Sequence, residues 1–495
     1  MNATDTEEMR ADDDAPIERV EVTPVMRKVD RPNYQKRIKI HPKRARGSFR
    51  RLKWAIMAIT LAIYYGTPWI RWDRGANMPD QAVLIDFPAR RFYFFFIEIW
   101  PQEVYYLTGL LILASLGLFL LTALAGRVWC GYSCPQTVWT DLFLVVERAI
   151  EGDRAARIRL DKAPLSASKI GKRTAKHLLW IVIGLTTGGA WVFYFADAPT
   201  LAVGLLTGDA APIAYITIAV LTASTYLFGG HAREQVCIYM CPWPRIQGAL
   251  FDEHSLLVAY KADRGEPRGR YRKGEDWAGR GDCVDCQQCV VVCPMGIDIR
   301  DGSQLECITC ALCIDACDDV MGKIGRPKGL IGYDTAVNET RRAENLPPRT
   351  RLIRPRTIAY TALMVVVSLV MLATLVSRPV LEVNIQHKRN PLFVKLSNGD
   401  VRNGYTIKIL NKLHEDRRFT LSLDGLAGST LSVTGQEQGA NGLLVKSDNL
   451  RAFRVFIAIP AKFAPKGGRD ITLIVTDEIS GESAQNDTIF RGPET

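Results

Sequence analysis

Histidine is scarce in this chain, with six among 495 residues. His177 lies at the edge of an apolar segment, and no two histidines face each other across helix centres. That argues against a bis-histidine haem. No Gly-x-Gly-x-x-Gly follows a strand, and there is no phosphate-binding loop. The chain is therefore expected to lack its own nicotinamide or nucleotide site, so any electrons it handles come from another protein or from quinol. The first fifty residues contain no apolar run of signal-peptide type, which leaves the later apolar segments to direct insertion. Finally, no cysteine stands outside a short-spaced motif. Of 12 cysteines, four lie in two Cys-x-x-x-Cys-Pro pairs and eight in two tight runs. That usage points to metal ligands and not to a disulfide framework.

Apolar stretches alternate with strongly charged ones. Five segments, about residues 53–70, 104–125, 177–196, 212–228 and 358–376, have the length a bilayer core requires. Trp69 and Trp72 suit an interface at the end of the first. The aromatic run 92–100 is short and interrupted by Glu98 and Pro101, so it reads as interfacial or re-entrant.

The net charge of +11 raises the question of a nucleic-acid partner. Lys and Arg instead cluster beside apolar segments, which indicates no nucleic acid and a membrane. Lys36, Arg37, Lys39, Lys43, Arg44, Arg46, Arg50 and Arg51 precede the first segment. Arg154, Arg157, Arg159, Lys162, Lys169, Lys172, Arg173 and Lys176 lie between the second and third. Residues 197–211 carry no Lys or Arg. The positive-inside rule then places the N-terminus, both Cys-Pro motifs and the cysteine runs in the cytoplasm, and the C-terminal segment on the opposite side.

Beyond residue 380 the pattern changes. Short alternating runs at 405–409, 419–423, 453–459 and 471–475 are separated by Gly, Asn, Asp and Ser. This predicts a small antiparallel β-sandwich, without cysteine and with a structural or docking use.

The first cysteine run is Cys283-x-x-Cys286-x-x-Cys289-x-x-x-Cys293-Pro294, and the second is Cys307-x-x-Cys310-x-x-Cys313-x-x-x-Cys317. Three thiolates spaced by two residues wrap three corners of a cubane, and the fourth ligates the other cluster. Cys283, Cys286, Cys289 and Cys317 are thus expected to hold one [4Fe–4S] cluster. Cys307, Cys310, Cys313 and Cys293 are expected to hold the second. Zinc prefers two separated cysteine pairs, and the tight triple does not suit it. Asp318 stands where a proline often follows the last cysteine.

Cys130-Gly-Tyr132-Ser-Cys134-Pro135 follows the second apolar segment, and Cys237-Ile-Tyr239-Met-Cys241-Pro242 follows the fourth. Each continues to a Leu-Phe pair, so the two units read as an internal repeat whose four thiols converge. Cysteines at i and i+4 share a helix face, or the prolines force a non-helical turn at the cysteine before them. Soft thiolates suit Cu(I), zinc or an iron–sulfur cluster. A redox-active dithiol and plain buried cysteines are the other readings. Spacing does not choose copper over a further metal. Met240 is a packing residue or a thioether ligand.

The whole set resembles the CcoG/FixG (Rdx) family of cytochrome cbb3 oxidase accessory proteins. The similarity covers nearly the full chain and rests on residues 88–93 (Pro-Ala-Arg-Arg-Phe-Tyr), 100–102 (Trp-Pro-Gln), both Cys-Pro motifs, 293–300 (Cys-Pro-Met-Gly-Ile-Asp-Ile-Arg) and the late β-rich segment. The resemblance implies a polytopic α-helical protein of the bacterial inner membrane. It would have about five transmembrane helices, a ferredoxin-like domain with two [4Fe–4S] clusters, and a periplasmic immunoglobulin-like C-terminal β-sandwich. The expected domains are a disordered cytoplasmic tail (1–52), four membrane helices with the Cys-Pro motifs (53–252), a cytoplasmic ferredoxin-like domain (253–356), a fifth helix (357–379) and the β-sandwich (380–495). The eight ferredoxin cysteines become cluster ligands, and Cys130, Cys134, Cys237 and Cys241 the redox or copper-handling set. The implied function is reduction of Cu(II) to Cu(I) for cbb3 oxidase assembly. Partners would be oxidase subunits or copper-delivery proteins and an electron donor that the sequence does not name. Two other readings stand beside it: a quinol-linked membrane electron conduit to a periplasmic reductase, and a non-enzymatic assembly scaffold or copper chaperone.

Overall fold

The structure is a computed structural model. It describes residues 19–22, 24–25, 38–75, 78–271, 274, 276–379, 381–413, 415–436, 439–447 and 449–493. The chain forms two compact units, Met1–Met371 and Leu372–Thr495.

The first unit opens with helix α1 (Ser48–Gly66) and a meander of β1 (Val83–Asp86), β2 (Arg91–Phe94) and β3 (Ile97–Ile99). Helices α2 (Tyr105–Ala125), α3 (Val128–Tyr132), α4 (Pro135–Glu151), α5 (Arg154–Lys162), α6 (Ala167–Val192), α7 (Ala198–Thr207) and α8 (Pro212–Thr225) follow. Two π-helical turns, Tyr226–Ala232 and Val236–Met240, lead to α9 (Trp243–Leu250). The cysteine runs lie between β4 (Leu257–Tyr260) and β5 (Ile331–Asp334), which pair antiparallel and close that region. Within it stand α10 (Ala262–Gly265), α11 (Gln288–Val291) and α12 (Leu312–Lys323). Helices α13 (Ala336–Ala343) and α14 (Pro355–Val376) complete the series.

Among the described residues, three helical stretches are long and apolar enough to cross a membrane: Pro101–Ala125, Pro212–Ala232 and Pro355–Val376. The expected five is corrected to three on this measure, and the reason is charge. The apolar part of α1 begins only after Arg50, Arg51 and Lys53, and α6 spends its first half on Lys169, Lys172, Arg173 and Lys176. The apolar length left in each falls short of the ~20 residues a bilayer core takes. The run 92–100 is not among the three stretches. It forms β2 and β3, with Tyr93 opposite Glu98 in the register and Arg91 bonded to Glu98 at 3.2 Å.

The disordered tail expected over 1–52 falls mostly outside the described residues. Where the chain is described, it is packed. Ile40 and Ala45 are buried, and the Lys43 N–H donates to the Val291 carbonyl at 2.9 Å. The Phe49 and Arg50 N–H groups donate to the Asp315 carboxylate at 3.1 and 2.7 Å. Asp315 belongs to α12, so a distant carboxylate caps the first turn of α1, where the helix dipole favours an anion.

Many of the basic residues are internal. Arg50 makes two bonds to Asp141 at 2.9 and 2.8 Å. Glu147, 1% exposed, accepts from Arg157 at 2.9 Å and Arg233 at 2.6 Å, and Lys176 lies 3.1 Å from Glu151. This knot joins α4, α5, α6 and the first π-helical turn.

The second unit is two antiparallel sheets. The first holds β6 (Leu381–His387), β7 (Val394–Lys395), β8 (Val401–Asn411), β10 (Thr430–Val433) and β12 (Asn449–Ile459). The second holds β9 (Arg417–Asp424), β11 (Leu443–Val445), β13 (Gly468–Asp477) and β14 (Ser483–Arg491). Alternate residues of each strand, such as Tyr405, Ile407 and Ile409 against Phe419, Leu421 and Leu473, fill one core. All four runs expected from sequence fall within strands.

Candidate functional site

Each cysteine run folds as a loop that turns into a helix. The first leads into α11 and the second into α12. Asp285 and Gln287 in the first loop have φ of 52° and 56°. Thr309 and Ala311, at the same two positions of the second, have 56° and 61°. Residues with side chains seldom adopt this left-handed backbone. Alternated with ordinary residues, it turns successive N–H groups into one concavity, the nest that receives anions and iron–sulfur clusters.

Two cavities lie at these loops. One is lined by Cys283, Cys286, Cys289 and Cys317. The other is lined by Cys293, Cys307, Cys310 and Cys313, with Cys289 on its wall. The crossing expected from the spacing is thus a feature of the fold: α12 brings Cys317 to the first loop, and the turn after α11 brings Cys293 to the second. Burial pushes the Cys317 and Cys293 thiols up to about 12 and Cys307 to about 11. Neighbouring cysteines add to it. Bound cationic iron would reverse that preference and hold them as thiolates. Zinc draws its sulfurs to about 2.3 Å. Among the described residues no group of three or more His, Cys, Asp or Glu is placed to hold a single metal ion. A four-iron cube takes each thiolate on a separate iron, which suits ligands spread around a cavity wall.

The Cys-Pro motifs take the proline-forced form. Cys130 lies in α3, but Cys134 is extended (ψ 128°) and Pro135 starts α4. Cys237 lies in the second π-helical turn, and Cys241 is likewise extended (ψ 122°) before Pro242. Burial pushes the Cys237 thiol up to about 12, and the charges of Cys134, Cys130 and Cys241 all reach it. Cys130, Cys134 and Cys241 thus all lie within electrostatic reach of Cys237. Cys130 and Cys237 also pack in one apolar cluster with Cys293, Cys307 and Cys310. Gly131 allows this approach: a Cβ there would stand 2.7 Å from the Ile308 carbonyl and 3.0 Å from the Cys310 Cα. A further small cavity is lined by Cys237, Asp141, Glu234 and Met295. Met240 is exposed.

Sequence reasoning passed over several residues here. Arg127, 3% exposed, donates to the Gln247 side chain at 3.1 Å and the Cys307 carbonyl at 3.1 Å, and also bonds the Leu305 carbonyl. Gln247, fully buried, accepts from Cys130 Sγ at 3.4 Å. Tyr333 donates to the Thr309 carbonyl at 3.0 Å. Arg300 lines the first cavity and bonds Asp298 and Asp285 at 2.6 and 2.7 Å. Only the short distance of Arg127 from Cys130 could have flagged it. The others lie far from their partners in sequence or read as ordinary surface residues.

The fold and the paired cysteine cavities define an iron–sulfur electron-transfer protein with apolar helices suited to a membrane. Residues 232–336 match the model of a 4Fe-4S dicluster domain, 107–151 that of a 4Fe-4S binding domain, and 371–493 that of the Ig-like fold at the C-terminus of FixG. The chain is 54% identical over 482 residues to the nitrogen fixation protein FixG of Rhizobium meliloti, covering 91% of this chain and 92% of that one. It is 54% identical to protein RdxB of Cereibacter sphaeroides (93% and 97% covered) and 57% identical to its protein RdxA (82% and 86%). The chain belongs to the FixG/Rdx family.

Proposed function

We propose that the protein is a membrane-bound cupric reductase that supplies Cu(I) for assembly of a cbb3-type cytochrome oxidase. The observation that carries this reading is the packing of Cys130 and Cys237 in one core with Cys293, Cys307 and Cys310. Cys283, Cys286, Cys289 and Cys317 hold one [4Fe–4S] cluster, and Cys293, Cys307, Cys310 and Cys313 the other. When bound, the clusters supply single electrons. Cu(II) is the substrate at Cys130, Cys134, Cys237 and Cys241, and each ion takes one electron to become Cu(I), the state soft thiolates favour. The charge asymmetry of the loops supports a cytoplasmic ferredoxin region and a periplasmic C-terminal unit. The oxidase link draws on the family resemblance. Nitrogen fixation, named for one relative, is the other process such a carrier could serve.

The test is anaerobic. The protein is reduced, freed of reductant and given Cu(II), while cluster absorbance and chelated Cu(I) are followed together. The expected result is Cu(I) in step with cluster oxidation, and its loss when Cys130, Cys134, Cys237 and Cys241 are all changed to Ser. Clusters that stay reduced without Cu(I) would remove the copper role and favour the quinol-linked conduit or the scaffold. Reduction of the clusters by added quinol would then separate those two.

A further inference from the structure

Two arginines are buried beside the cysteine cavities, and they differ in one respect. Arg300, at the first cavity, is bonded to the carboxylates of Asp298 and Asp285. Arg127, at the second, has no carboxylate partner among the described residues. Its guanidinium bonds are to neutral oxygens, namely Gln247 Oε1 and the carbonyls of Leu305 and Cys307. Its backbone N–H donates to Thr309 Oγ1 at 3.3 Å. A buried cation without a counter-ion is costly unless an anion compensates it. The acidic groups near it are the buried Glu306 carboxyl and the thiols of Cys307 and Cys130, and Arg127 acts on both thiols. It contacts Cys307 through the carbonyl, and Cys130 through the shared oxygen of Gln247.

We propose that Arg127 is a positioning residue whose fixed positive charge is shared between the second cluster and the Cys-Pro set, and which raises the reduction potential of that cluster. Each electron that enters the cluster adds one negative charge beside this cation. The unpaired guanidinium therefore favours the reduced form, and its effect in a water-poor core is weakly screened. Arg300 has less effect on the first cluster because two carboxylates already offset it. The inference rests on the cluster assignment proposed above and not on copper.

The experiment is an anaerobic, EPR-monitored redox titration of the full-length protein in detergent, with no copper present. Arg127→Gln should lower the second-cluster potential so that its ratio of reduced to oxidised form at a fixed potential falls tenfold or more, about 59 mV for a one-electron couple. The first cluster should not move. Arg127→Lys, which keeps the charge, should recover most of the shift. A second-cluster potential unchanged in Arg127→Gln, or altered equally by Gln and Lys, would overturn the proposal in favour of a purely structural role. If Arg127→Gln loses its second cluster, Gln247→Glu decides. It keeps the guanidinium and sets a carboxylate against it, so the potential should again fall, and an unchanged value would overturn the proposal. Because copper takes no part, failure of cupric reduction leaves this result standing.

Discussion

Gly131 illustrates how one residue can decide whether the first Cys-Pro motif meets the second cysteine loop. Its missing side chain lets α3 rest on the backbone of the second cysteine loop. Gly131→Ala would place a methyl group against the carbonyl of Ile308, an overpacking cost of about 1–3 kcal/mol. The expected outcome is a lower melting temperature and reduced iron content, read by calorimetry and metal analysis, with EPR showing the second cluster more affected. Cys293 carries a related expectation. Although it belongs to the first run, it lines the second cavity. Cys293→Ser should therefore deplete the second-cluster signal and spare the first. Loss confined to the first cluster would contradict the crossed assignment.

At the scale of elements, the knot around Glu147 ties α4, α5, α6 and the first π-helical turn together. Burial alone would raise the Glu147 carboxyl, but Arg233, Arg157 and Lys176 outweigh it and hold it at about 2, below its ordinary 4.5. The folded value is the depressed one. Its contribution to stability is therefore complete above about pH 4.5 and is lost as pH falls towards 2. Melting temperatures in detergent should drop across that window. In Glu147→Gln the drop should be weaker, because the titrating group is gone. At neutral pH the same variant strands the buried cations Arg157 and Arg233, and a loss of about 3–5 kcal/mol is expected. Thermal unfolding at two pH values reads both effects. The N-terminus of α1 is a second such joint, since its cap is Asp315 on α12, so the ferredoxin region and the helices are one folded unit.

On the scale of the whole molecule, all 12 cysteines lie in the first unit and none in the second. The second unit has its own core, formed by residues from both sheets. Produced alone, residues 381–495 should fold cooperatively. The melt, followed by circular dichroism, should be the same with and without reductant or chelator. A melt that shifts with either would show that the sandwich depends on a metal or a thiol outside it.

Much of this was legible in the residues themselves. Cysteine spacing is a local property, and it was enough to name two clusters and to pair Cys293 with the second run. Alternation along 405–409 and 453–459 set the strands, because period two is visible without knowing the partner strand. The proline after each Cys-x-x-x-Cys pair restricted the cysteine before it, and the extended Cys134 and Cys241 follow from that. The remainder depended on contacts between residues far apart in the chain. Basic residues that looked like membrane-flanking charge, Arg50, Arg157 and Lys176, are buried against Asp141, Glu147 and Glu151. Only folding brings α4, α5 and α6 together to pair them. The approach of Cys130 to Cys310, and the guanidinium of Arg127 on the Cys307 carbonyl, arise in the same way. Local sequence sets which atoms can bind a cluster, whereas packing sets what stands beside it and what charge the buried surroundings must balance.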